Sequence, residues 1–185
     1  MSETTISPQA LRHVCPNLSA PDATRIAAGL GQAFARYGIT TERRAAMAVA
    51  QWAHESAGFR TSQEYASGAA YEGRKDLGNT QRGDGVRFKG RGRIMITGRA
   101  NYAAMAKALG LDLIHHPELL ARSPHSEVAS GQWWKDHGCN DLCDSDDFVG
   151  LTRRINGGLN GLSDRQLLYQ RARQVAHDLM PRPVK

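Results

Sequence analysis

The run Ala45-Ala46-Met47-Ala48-Val49-Ala50-Gln51-Trp52 carries no charged residue, and it limits the possible folds more than any other stretch. A helix that is apolar on every face has to be surrounded by other elements instead of lying on a surface. Thr41-Glu42 provides a capping start for it, and Ala57-Gly58 a stop and a turn. His54 and Glu55 come directly after the run. Glu55 then lies at the negative end of a helix, with Trp52 and Phe59 as expected apolar walls. Both influences favour the protonated carboxyl and predict a raised pKa. A general acid needs that state.

Glu64 follows nine positions later. On an unbroken helix the two carboxyl groups would face roughly opposite sides, so a shared cleft requires the chain to bend between them. Two carboxyl groups, one of them in an apolar setting, are the equipment of glycoside hydrolysis.

The remaining signals are mostly helical. Ser7-Pro8-Gln9 opens one helix, and Ala20-Pro21-Asp22 opens another through Ala23–Tyr37, closed by the break Gly38-Ile39-Thr40. Glycine and polar residues dominate 66–92, which predicts a long irregular loop of the functional kind. Helices are expected again at Asn101–Leu109, stopped by Gly110, and at Pro117–Ala121, Ser126–His137, Asp146–Asn156 and Ser163–Leu179. Arg93–Thr97 is the best strand candidate. The class is mostly α, with little or no β-sheet.

The net charge of +6 favours anionic partners such as nucleic acid, a membrane surface or an acidic cell wall. The basic residues are spread out and no nucleic-acid module is recognisable, so no nucleic acid is expected. No apolar run approaches membrane-spanning length. Met1-Ser2-Glu3-Thr4-Thr5 lacks the basic-then-apolar order of a secretory signal, which predicts synthesis in the cytoplasm. Cys15, Cys139 and Cys143 make no disulfide framework. Cys139 and Cys143, even with His137 nearby, lack a second ligand pair and read as reduced structural thiols; neither metal nor other cofactor is expected.

The segment Phe88-Lys89-Gly90-Arg91-Gly92-Arg93-Ile94-Met95-Ile96-Thr97-Gly98-Arg99-Ala100-Asn101-Tyr102 adds a resemblance. Together with Ala53-His54-Glu55-Ser56 and Arg154-Ile155-Asn156-Gly157-Gly158-Leu159-Asn160-Gly161 it resembles the family-19 glycoside hydrolases. Within them it looks like the phage and prophage endolysins that cut peptidoglycan, not the plant chitinases. The likeness spans residues 40–175, with the motifs in the family's order. It implies a lysozyme-like, two-lobed helical fold with a substrate cleft, and a single catalytic domain over 1–185 without a separate wall-binding module. The larger lobe would be 1–97 with 146–185, and the smaller 98–145.

The implied activity is that of a muramidase, cutting the β-1,4 bond between N-acetylmuramic acid and N-acetylglucosamine during host-cell lysis. The implied mechanism is inverting, with a water between two carboxyl groups about 6.5–9.5 Å apart. By position, Glu55 matches the general acid and Glu64 the general base. Thr97 matches a residue that holds the nucleophilic water, and Asn101 and Asn156 match residues that bind sugar or tie the catalytic network together. The family commonly has Gln where this chain has Met95, so one polar sugar contact is lost. Glu72 is the rival for the base. Arg91, between two glycines, reads as a substrate-binding residue, as an ion-pair anchor for a catalytic carboxylate or as a loop brace. His54 reads as a substrate-side residue or as a satisfied structural histidine, and Trp133-Trp134 as core or as a sugar platform.

The implied partners are peptidoglycan strands and a phage holin that gives a monomeric enzyme access to the periplasm. Chitin is the alternative substrate, and non-catalytic binding of an anionic polymer the other alternative. In Ser163–Lys185, the residues Leu167, Leu168, Val175, Ala176 and Leu179 form an apolar face beside Arg171, Arg173, Arg182 and Lys185. This predicts a packed terminal helix with its cations in water, or a basic face that docks on the wall or outer membrane. Arg165, just after the Asn-Gly-Gly motif, is the exception and reads as a brace for the cleft.

Overall fold

The computed structural model describes residues 4–184. Met1–Glu3 of the N-terminal segment and Lys185 of the C-terminal one, both drawn on above, lie outside the described residues. In chain order the elements are β1 (Thr4–Thr5), α1 (Pro8–Val14), α2 (Ala20–Arg36), α3 (Glu42–Glu55), α4 (Asp84–Arg87), α5 (Arg99–Leu109), α6 (His125–Asp136), α7 (Cys139–Asp144), α8 (Phe148–Asn156), α9 (Leu162–Gln174) and β2 (Arg182–Pro183). Short 3-10 turns lie at Ala69–Tyr71, Lys75–Leu77, Pro117–Ala121 and Ala176–Leu179. The class is mostly α, as expected.

The early helices start where short hydroxyl side chains can take a free backbone N–H. Ser7 accepts from Ala10 at 3.2 Å, Ser19 from Asp22 at 3.2 Å and Thr41 from Arg44 at 3.3 Å. Helix α3 is the axis of the molecule. Every residue from Ala45 to Ala53 is buried, and α9 lies along it. Its alanines let neighbouring helices approach closely, while Trp52 fills the remaining space. The Trp52 ring meets Phe34 and Trp134 edge-on, with centroids 5.6 and 5.9 Å apart, an arrangement the ring quadrupoles favour.

Apolar side chains form two clusters. The larger surrounds α3; the smaller gathers Phe88, Ile96, Tyr102, Met105, Leu113, Leu120 and Ala129, and Ile94 and Trp133 pack against both. Phe88 and Ile96 belong to the smaller cluster, and Cys139 and Cys143 are buried in the larger one on α7. Burial pushes the Cys15 and Cys139 thiols up to about 12, and Cys143 further in the same direction.

The strand expected at Arg93–Thr97 is a tight turn. Arg91 and Ile96 exchange backbone hydrogen bonds at 3.0 and 2.7 Å. The residues between them turn back through positive φ at Gly92 (82°) and Met95 (56°). The segment 66–92, expected as an irregular loop, holds two 3-10 turns and α4. Arg99 holds Asp84 with bonds of 2.6 and 2.9 Å, and its guanidinium keeps that carboxyl below the usual carboxylate range. The helix expected over Ser163–Leu179 breaks at Val175 into α9 and a 3-10 turn.

A two-stranded antiparallel ribbon pairs Thr4 with Pro183 and Thr5 with Arg182. It crosses α2 at Gly31, where a Cβ would come within 2.3 Å of Thr5 Cα. Gly31→Ala should therefore lower the unfolding free energy by about 1–3 kcal/mol through overpacking, although alanine is the better helix former. Urea denaturation checks this. An unchanged midpoint would mean that the ribbon lifts off α2 without loss.

Candidate active site

Helix α3 ends in polar residues that need partners, and α9 supplies them. Gln51 and Glu55 are one turn apart and share a face. Arg165 reaches both: Nη1 donates to Gln51 Oε1 at 2.6 Å, Nη2 donates to Glu55 Oε1, and Nε reaches the Asn160 carbonyl at 3.3 Å. Gln51 also donates to Thr152 Oγ1 at 2.9 Å, which ties α8 into the same group. The Arg165 side chain is 1% exposed and that of Glu55 20%. Trp52 turns into the core and Phe59 lies beneath the Arg93 guanidinium, so the neighbour of Glu55 is a cation. The adjacent pair repeats the pattern, with His54 Nδ1 2.6 Å from Asp164 Oδ2. Gly161 packs so closely on that imidazole that a Cβ would meet Cε1 at 2.2 Å. His54 is thus a satisfied structural histidine, and the hollow it lines is a separate one shared with Cys15, Arg60 and Arg171.

After Glu55 the chain bends as required. Ala57, Gly58 and Phe59 all have positive φ, at 52°, 71° and 62°. Glu64 then meets the turn that follows Phe88. Its backbone N–H donates to the Gly90 carbonyl at 3.0 Å, and the Gly90 N–H donates to Glu64 Oε1 at 3.0 Å. The Tyr71 hydroxyl donates to Glu64 Oε2 at 2.9 Å, and this bond pushes the Tyr71 phenol above its ordinary range. Gly90 is the meeting point. A Cβ there would lie 3.2 Å from Thr97 Oγ1, 3.3 Å from Met95 Cβ and 3.4 Å from Glu64 Cδ. A side chain at this position would make these three groups give way by a few tenths of an ångström.

The cleft continues from Met95 and Thr97 into a hollow of about 420 Å³, lined by Asn101, Trp133, Asp136, His137 and Ile155 among others. Asn101 Nδ2 donates to the Thr97 carbonyl at 2.7 Å, and the Thr97 hydroxyl to the Met95 carbonyl at 2.8 Å. Asn156 is exposed next to the lining residue Ile155 and makes no hydrogen bond among the described residues. The tryptophan pair divides its roles. Trp134 is core, while Trp133 forms a cleft wall with His137 stacked on it, ring centroids 3.7 Å apart.

Two expectations need correction. Arg91 is neither a carboxylate anchor nor a sugar ligand. It is buried, donating to Gln63 Oε1 at 2.8 Å, the Arg87 carbonyl at 2.8 Å and the Tyr102 hydroxyl at 3.0 Å. Turning inward gives its guanidinium three acceptors, and the brace reading holds. Glu72, the rival base, accepts from the Gly83 and Gly85 N–H groups at 2.6 and 2.9 Å and so holds the start of α4. The basic face of α9 is also divided: Arg171 opens to the hollow behind His54, and Arg173 to a different one beside Arg43. Residues missed in the sequence are Gln51, Tyr71 and Asp164. Gln51 had a signal, as the lone polar side chain in an apolar run and one turn before Glu55.

Comparison with known proteins agrees with this architecture. The family model described as chitinase class I matches residues 15–141. A Haemophilus influenzae protein described as containing a glycosyl hydrolase family 19 domain is 39% identical over 113 residues, covering 60% of this chain and 54% of the relative. An Arabidopsis thaliana endochitinase is 37% identical over 128 residues, covering 69% of this chain and 44% of the relative. The match thus spans about half the length of these relatives. The structure of chitinase C from Streptomyces griseus superposes with a TM-score of 0.72 at 23% identity, over 93% of this chain and 76% of that one. The shared fold is the lysozyme-like helical one.

Arg165→Met should cost about 3 kcal/mol of stability, because it strands the polar ends of Gln51 and Glu55 in their buried seam. Adding Gln51→Leu should recover part of that loss by removing one stranded group. Denaturant unfolding of the single and double variants tests the coupling; strictly additive losses would contradict it.

Proposed function

The chain belongs to glycoside hydrolase family 19, and from that premise we propose that it is a peptidoglycan-cutting lysozyme of the endolysin kind. It would hydrolyse the β-1,4 bond between N-acetylmuramic acid and N-acetylglucosamine with inversion. The observation that carries the mechanism is the convergence of Glu64 and Thr97 on Gly90 at the mouth of the cleft.

In this reading Glu64 is the base. Gly90 and Tyr71 each donate to one of its oxygens, an arrangement suited to an ionised carboxylate that still has lone pairs for a water proton. Thr97 gives its own proton to the Met95 carbonyl, so its oxygen can accept the second hydrogen of that water. The water lone pair is then left to attack the anomeric carbon. Glu55 is the acid. Arg165 occupies Oε1, so the proton passed to the leaving oxygen rides on Oε2. Asn101 and Asn156 offer amides to the N-acetyl sugars, and Trp133 an apolar wall. The net charge of +6 supports an anionic wall as substrate.

Chitin is the second reading, favoured by the endochitinases among the relatives. Release of reducing ends from purified sacculi, compared with colloidal chitin, discriminates the two. Mass spectrometry of the products should show muramic acid at the reducing end; glucosamine ends from chitin alone would reverse the assignment. Glu55→Gln and Glu64→Gln should each reduce turnover by about a hundredfold or more while leaving the circular dichroism spectrum unchanged. Near wild-type lysis by Glu64→Gln would remove the proposed base. Tyr71→Phe, which takes one donor from a charged acceptor, should lower kcat by roughly tenfold, read from saturating-substrate rates.

A further inference from the structure

A buried ion pair outside the reacting groups braces the turn that separates the two acids. The Arg93 side chain is 3% exposed and that of Glu127 0%. Arg93 Nε and Nη2 both donate to Glu127 Oε1, at 2.9 and 2.7 Å. Its remaining nitrogen, Nη1, donates to the carbonyls of Phe59 and Thr61 at 3.2 and 3.0 Å. The guanidinium carbon also lies 5.6 Å from the centre of the Phe59 ring. The Arg93 backbone N–H donates to Ser130 Oγ at 3.0 Å, and Ser123 Oγ donates to Glu127 Oε1 at 2.9 Å, so both residues are seated on α6 and its approach.

Phe59 closes the turn Ala57–Phe59, in which two residues with a Cβ hold positive φ. That conformation persists only where the surroundings impose it. Arg93 is positioned to impose it, from the carbonyl and from the ring face. The same residue starts a ladder that leads to the base. Arg93 holds the Thr61 carbonyl, the Gly92 N–H holds the Ser62 carbonyl at 2.9 Å, Arg91 holds the Gln63 side chain at 2.8 Å, and Glu64 pairs with Gly90. The segment between the acids is thus clamped at Phe59 and carried rung by rung to Glu64.

The pair is an unlikely device for stability alone. Glu127 Oε2 has no hydrogen-bond partner among the described residues. It presses on Gly29, where a Cβ would stand 2.6 Å away. Buried ion pairs can often be replaced by apolar side chains of similar volume without loss of stability. What an apolar pair cannot supply is the directed grip on two carbonyl oxygens.

We propose that Arg93 and Glu127 are positioning residues for hydrolysis, fixing the bend between Glu55 and Glu64 and so the separation of the two acids. This rests on the assignment of those acids and is independent of which polymer is cut. The test compares wild type with Glu127→Gln, Arg93→Lys and the apolar double variant Arg93→Met with Glu127→Met. Each is assayed well below its unfolding midpoint on whichever polymer the wild type degrades. The expected result for the double variant is a native circular dichroism spectrum, a KM within twofold of wild type and a kcat at least tenfold lower. Arg93→Lys, which keeps the charge opposite Glu127 but cannot reach both carbonyls, carries the same expectation and decides the matter if the double variant does not fold. A kcat within twofold of wild type in a folded variant would overturn the proposal. So would a loss that appears wholly in KM. Full activity of Glu55→Gln or Glu64→Gln would instead defeat the acid and base assignment on which it stands.

Discussion

Burying α3 on all sides is the constraint from which the rest of the architecture follows. An apolar helix end can be covered by any apolar neighbour, but Gln51 and Glu55 put an amide and a carboxyl at the seam with α9. Only a side chain with several donors can satisfy both in that space, and Arg165 is that side chain. The packing of α9 on α3 and the placing of the proposed acid are therefore one event. The order of the two partner pairs, Asp164 on His54 and Arg165 on Glu55, fixes the register of the two helices as well.

At the Gly90 turn the arrangement depends on absence of bulk. Gly90 lets Glu64, Thr97 and Met95 come together, while Tyr71 arrives from a 3-10 turn inside an otherwise irregular segment. The proposed acid is thus positioned by helix packing and the proposed base by hydrogen bonds in loops. The first is as rigid as the core. The second depends on braces such as Arg99 with Asp84 and Arg91 with Gln63, which explains why so many arginines in this region turn inward.

What could be read from the sequence was whatever is local. The start signals Ser7-Pro8-Gln9, Ala20-Pro21-Asp22 and Thr41-Glu42 lie at the helices they open, and the apolar run announces its own burial. Arg93–Thr97 misled because Ile94 and Ile96 alternate as a strand would, whereas Gly92 and Met95 turn the backbone. Helix α7 was missed because six residues carry too little periodicity. Arg165 was legible as a brace, but the partner of each charge was not. Arg91 stands near Glu64 in the ladder yet bonds elsewhere, while Arg165 meets a carboxylate 110 positions away. The positions of Glu55, Glu64 and Thr97 were suggested by motif likeness, but which groups would hold them depends on long-range packing that no short window contains.

The three buried cysteines give the native molecule a further property. Their thiols are held protonated by burial, at the end of α1 and along α7, and it is the thiolate that reacts with oxidants and alkylating agents. Burial therefore slows both reactions in the folded molecule, and opening of a segment speeds them. Cys15 would report the ground beside the proposed acid, and Cys139 and Cys143 the far side of the core, so the rate of modification becomes a clock for local unfolding.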